Sequence, residues 1–188
     1  RSWMPREIGG VLWFGNDDAN MVAYTPIYCG NKTQPECYNT PGADAVTFSD
    51  KNAYWVCNWV SNMVYPRYNQ MFGSLKVVRD SLENSYFESQ KNIEAKALSL
   101  YNSDKDAALN YLNKYSNEKA QQMLDRWKQL AVYLIVKYND MAVKPEENGH
   151  FKRTKTGIGA RVSRPGFPQS FAKKLIKMTG SKYAYPNK

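Results

Sequence analysis

Histidine is almost absent from these 188 residues: His150 stands alone, in the polar stretch EENGHFKR. Cysteine is scarce too, at three residues. Serine and cysteine catalysis need a base within hydrogen-bond reach, usually histidine, and a lone histidine without a supporting motif supplies none. The motifs G-x-S-x-G and H-E-x-x-H and the phosphate-binding glycine loop are missing. A terminal nucleophile would have to be Cys, Ser or Thr, and position 1 is Arg. The chain is therefore expected to hold no catalytic residue and not to be a self-sufficient hydrolase. Four soft ligands are not at hand, so no metal and no cofactor is expected. No stretch approaches the roughly 18 apolar residues that span a bilayer. The opening RSWMPREIGG has no apolar run of the secretory kind. The compartment stays open between bacterial secreted or periplasmic and cytoplasmic.

The cysteines differ in setting. Cys29 and Cys37 are eight apart in YCGNKTQPEC, where Gly30 and Pro35 would let the loop fold back into a disulfide. Three unpaired thiols remain an equal alternative, and an odd count leaves at least one free in any case. Cys57, within YWVCNWV, is expected to be a small buried hydrophobe. Asn31-Lys32-Thr33 matches a glycosylation sequon, a pattern common by chance.

Aromatics are plentiful at 14%, with fourteen Tyr and five Trp, which suits cores and interfaces that keep a polar end to hydrogen-bond. Hydrophobic residues at 43% and charged residues at 23% fit one globular core. The net charge of +9 is lopsided: residues 144–188 hold eleven Lys or Arg and two Glu, so everything before them is neutral. That basic tail could meet an acidic surface, but no nucleic-acid motif accompanies it and the charges form no stripe, so nucleic acid is not the expected partner.

The expected organisation is α+β: a single segment over 1–188, with strands and a loop over 1–48, helices over 49–140, and a basic, loop-rich tail with a short terminal helix over 141–188. Val11–Phe14 and Met21–Tyr28 read as two strands around the bend GNDDAN. Ser49-Asp50 is the expected cap of a helix over Ala53–Tyr65, which Pro66 should end or kink. The run from Ser74 to Tyr101 lacks Gly and Pro and should be helical. Asn102-Ser103-Asp104 marks a break before a shorter helix over Lys105–Lys114. Ser116 is expected to cap a long helix whose stripe runs from Ala120 through Trp127 and Leu134 to Ile135 and Tyr138. A last helix over Ser170–Met178 should stop at Gly180.

Two groups of residues are candidates for function. Asp17-Asp18 at the bend could raise a carboxyl pKa or bind a substrate amine, or they could form a solvated turn. Asn58 and Asn62 share a helical face within the aromatic segment Tyr54–Tyr68, with Arg67 after the proline. They could orient a substrate or buttress the sheet.

Both regions carry a resemblance. GGVLWFGNDDANMVAYTPIYCGNKTQPEC resembles the dipeptidase A family segment in which a strand ending in a W-x-G-x-DDA-like bend leads to a Y-x-P-x-Y-C-G strand. YWVCNWVSNMVYPRYNQM resembles the helix that follows there. The resemblance implies an N-terminal-nucleophile hydrolase with an αββα sandwich, of which this chain would be the C-terminal portion. It implies a cysteine exposed by propeptide removal as nucleophile, with dipeptides as substrates. On this reading Asn16, Asp17, Asp18, Trp59 and Asn62 match pattern positions and are the expected substrate-binding residues. The nucleophile has no counterpart here, so the expected partners are the missing N-terminal part of the same protein or, failing that, a second copy in a homo-oligomer that pairs the open strands. The alternative is a non-catalytic binding or structural module that uses its basic tail.

Overall fold

Apolar Val11–Phe14 and β-favouring Thr25–Tyr28 form strands β1 and β2, paired antiparallel with Val11 opposite Tyr28 and Phe14 opposite Thr25. Cys29 donates its N–H to the Gly10 carbonyl at 3.0 Å, which makes Gly10 and Cys29 a hydrogen-bonded pair. By alternation Val11/Tyr28 and Trp13/Pro26 are non-hydrogen-bonded pairs, so the N–H groups of alternate β2 residues face away from β1. Each of those outward positions is provided for. Tyr28 N–H donates to Ser116 Oγ at 3.3 Å, Pro26 has no N–H, and Tyr24 N–H donates to Glu83 Oε1 at 2.9 Å. The outer edge of β2 is thus closed by side chains, whereas no other described strand pairs with β1.

The computed structural model describes residues 1–157, 159 and 162–183. They divide into two compact units, Arg1–Leu134 and Ile135–Lys188. The division falls inside a helix and not at the change in charge near Lys144.

In the first unit, helix α1 spans Ala53–Val64. Its cap is Asn52, whose side chain accepts from the Trp55 N–H at 3.4 Å. This replaces the expected Ser49-Asp50 cap, since Ser49 Oγ instead accepts from Lys51 N–H in the turn before the helix. Pro66 does end α1, but only for one 3₁₀ turn, Tyr65–Arg67. Helix α2 then runs from Tyr68 to Ser103. It starts earlier than Ser74, running through Gly73 despite a glycine's helix cost of about 1 kcal/mol.

Helix α3, Lys105–Tyr138, is continuous, and the expected break before Ser116 does not occur. Asp104 is the cap, accepting from Ala107 N–H at 3.0 Å. Ser116 lies mid-helix and fully buried because its hydroxyl is taken up by β2. α2 and α3 form an antiparallel pair: Ser89 Oγ meets Tyr115 Oη at 3.0 Å, and Tyr86 Oη donates to the Lys119 carbonyl at 3.2 Å. Trp127, Leu124, Met123 and Leu134 are fully buried, as the stripe predicts, while Ile135 is 45% exposed. A core of Met4, Ile8, Tyr28, Ala97, Ala108, Leu112 and Tyr115 ties the hairpin to both helices.

The second unit begins in the last turn of α3, which ends where Asp140 and Met141 turn left-handed (φ 57° and 58°). A short hairpin follows, β3 at Glu146–Glu147 and β4 at His150–Phe151, turning on Asn148-Gly149, both at positive φ. Lys137 and Glu146 pair at 2.6 Å. Helix α4, Gln169–Thr179, stops at Gly180 (φ 56°), close to the predicted bounds. The whole is α+β with helix predominating.

Candidate functional site

The bend between β1 and β2 is built around Asp17, which adopts a left-handed backbone, φ 73°. A non-glycine residue there is uncommon, and Asp and Asn tolerate it best. The turn aims the Asp17 carboxylate at α1. Oδ1 accepts from Asn58 Nδ2 at 2.9 Å, and Oδ2 accepts a short hydrogen bond from Ser61 Oγ. Asn58 and Ser61 are three apart in sequence, hence neighbours on one helical face. Asn62 extends the chain, donating Nδ2 to the Asn58 carbonyl at 2.8 Å and to Asn58 Oδ1 at 3.1 Å. Asn20 fastens the far end of the bend to α2, donating to Tyr68 Oη at 3.1 Å and accepting from Arg79 through its carbonyl at 2.7 Å.

Beside this relay lies an open depression of about 340 Å³, lined by Phe48, Trp55, Asn58, Trp59 and Asn62. Four of these sit at spacings of three, four and seven along α1, which places them on one face. Phe48 closes the side from the preceding loop, its ring edge-on to Trp55 at 5.8 Å. Trp55 Nε1 donates to the Asp44 carbonyl at 2.9 Å, holding the loop down. The Val46 N–H on its side chain is the largest of the causes that lower the Asp44 pKa. Aromatic faces around two amides can take an apolar side chain and hydrogen-bond a peptide group beside it.

Of the residues expected to bind substrate, Asp17, Trp59 and Asn62 come together around this relay and depression. Asp18 uses its carbonyl to accept from Met21 N–H at 2.9 Å and does not line the depression. Asn16 Oδ1 is buried without a hydrogen-bond partner among the described residues. Ser61, Trp55 and Phe48 were not singled out from the sequence. The helical spacing of Asn58 to Ser61 and of Trp55 to Asn58 and Trp59 was the signal for the first two, and Phe48 had none.

The cysteines do not form a second centre. All three are free, so the disulfide that the spacing of Cys29 and Cys37 allowed is not formed. Cys37 is buried in the 3₁₀ turn Glu36–Tyr38, while Cys29 is exposed against Gly10. Burial pushes the Cys37 thiol up to about 12 and the Cys57 thiol up as well, so neither supplies thiolate at neutral pH. Asn31 Nδ2 is buried and closed to a glycan. Among the described residues no cluster of three or more His, Cys, Asp or Glu is placed to hold a metal.

The bend, the relay and the depression together lie in a region related to hydrolytic peptidases. Residues 1–80 match the family model of Peptidase family C69, the dipeptidase A family. That stretch contains both strands of the first hairpin, all of α1 and the start of α2. No curated protein matches the chain.

Proposed function

We propose that this chain is the C-terminal segment of a cysteine dipeptidase of the N-terminal-nucleophile type, and that its nucleophile is supplied from outside these 188 residues. The observation that carries the reading is the Asp17–Asn58–Asn62 relay inside the stretch that matches the peptidase family. Both oxygens of Asp17 are engaged by α1, so Asp17 acts as a positioning residue that holds the GNDDAN bend against the depression. Trp59 and Asn62 then line the substrate cleft, the ring receiving a side chain of the dipeptide and the amide facing its peptide group.

Two features support an αββα sandwich around this segment. β1 has no neighbour on its outer edge among the described strands. Its outward face also stays open, with Leu12 54% and Phe14 36% exposed beside a second hollow of about 200 Å³. An unpaired edge and a bare apolar face are what further strands and a second sheet would cover.

The test is dipeptide turnover by the full-length protein. Trp59→Ala should raise KM roughly tenfold with little change in kcat, since it removes contact made equally in ground and transition states. Asp17→Asn should lower kcat as well, because the bend loses its charge-assisted anchor. Wild-type turnover unaffected by both changes would remove this cleft from the reaction. Absence of any turnover would favour a non-catalytic module.

A further inference from the structure

Helix α4 lies outside the residues 1–80 that match the peptidase family and is built as though for another surface. Every residue from Gln169 to Met178 is exposed, although the segment is strongly two-sided. At 100° per residue, Phe171, Leu175 and Met178 share one arc, while Lys173 and Lys177 lie on the opposite side and Lys174 flanks the arc beside Met178. The apolar arc is not covered: Phe171 is 47% exposed and Met178 74%. Phe167, just before the helix, stacks on Phe171 with ring centroids 5.0 Å apart and so prolongs the arc.

The charge around the helix points to one kind of occupant. Residues 148–188 contain ten Lys or Arg and no Asp or Glu. A soluble acidic groove rewards only cations placed opposite an acid, whereas an anionic bilayer attracts every cation held near it. A short helix with an apolar arc and a lysine arc is the form that lies in the headgroup boundary, its lysine stems reaching outward. Among the described residues no helix is long and apolar enough to cross the bilayer.

We propose that α4, with Phe167, is an anchor that lies in the surface of an anionic lipid bilayer. The apolar arc of Phe171, Leu175 and Met178 enters the headgroup boundary, and Lys173, Lys174 and Lys177 meet the lipid phosphates and carboxylates. The assignment is independent of the peptidase reading.

The test is flotation of the full 188-residue chain with vesicles. One set is phosphatidylcholine alone, the other phosphatidylcholine and phosphatidylserine in equal parts. The chain should float with the anionic vesicles and stay behind with the neutral ones. Changing Lys173, Lys174 and Lys177 together to Gln, or Phe171, Leu175 and Met178 together to Ser, should each weaken partitioning on the order of a hundredfold. All six side chains are exposed, so both variants should melt with wild type, as circular dichroism would verify. No flotation with anionic vesicles would overturn the assignment. So would a serine variant that binds like wild type, which would reduce the contact to charge alone. Tighter binding to polyglutamate or single-stranded RNA than to the vesicles would also overturn it, in favour of a soluble polyanion.

Discussion

Ser116 joins a helix to a strand edge through one hydroxyl. Tyr28 N–H points away from β1 and meets only Ser116 Oγ, in a setting where both residues are buried. Ser116→Ala leaves that donor without a partner, and a stranded buried N–H costs about 1–3 kcal/mol. Urea unfolding should show this as a lower midpoint at unchanged slope. The thiols give a second reading at the same scale. Cys29 is exposed and Cys37 and Cys57 are buried, so one thiol should react with an aromatic disulfide reagent in the folded chain and three after denaturation. Two slow thiols and one fast one would agree with the structure. One thiol after denaturation would mean that a disulfide had formed.

At the scale of elements, α3 carries the first unit's core on one face, and Trp127 is its largest fully buried side chain. Trp127→Ala should cost about 3–5 kcal/mol by lost burial and the cavity left behind. Trp127→Phe should cost distinctly less, because Trp127 Nε1–H is buried without a partner among the described residues and goes with the substitution. Thermal melts of the two variants check the order. The sequence made the face of α3 legible through its spacing, from Ala120 to Leu134. It misled at Ser116, where a residue type that usually caps a helix is spent on a strand N–H that only the tertiary fold brings near. Asn148-Gly149 turns a hairpin that was expected to be loop, although Asn-Gly is the strongest short-range hairpin signal. The strands there are only two residues long, too short for an alternating pattern to register. At the bend, Asp17 was legible as a residue in a turn, but its left-handed backbone and its two α1 partners depend on the approach of distant segments.

For the molecule as a whole, surface ion pairs set the response to acid. The Asp80 carboxyl is held below its ordinary pKa, first by Lys76 and then by Arg79. Asp50 is lowered by Lys128 and Asp106 by Lys32. Their folded pKa values lie below their unfolded ones, so they contribute stability above the unfolded value of about 4, and that contribution is lost as pH falls through the folded values. The melting temperature should therefore decline below about pH 4, and Asp80→Asn should make the decline shallower. On the proposed reading the nucleophile is none of this chain's thiols. The most direct measurement is dipeptide turnover by the full-length protein with Cys29, Cys37 and Cys57 all changed to Ala. This variant should still hydrolyse dipeptides, and alkylation of its remaining thiols should abolish turnover. Loss of activity traced to Cys29 alone, in a variant that still folds, would contradict that reading, as would turnover that survives alkylation.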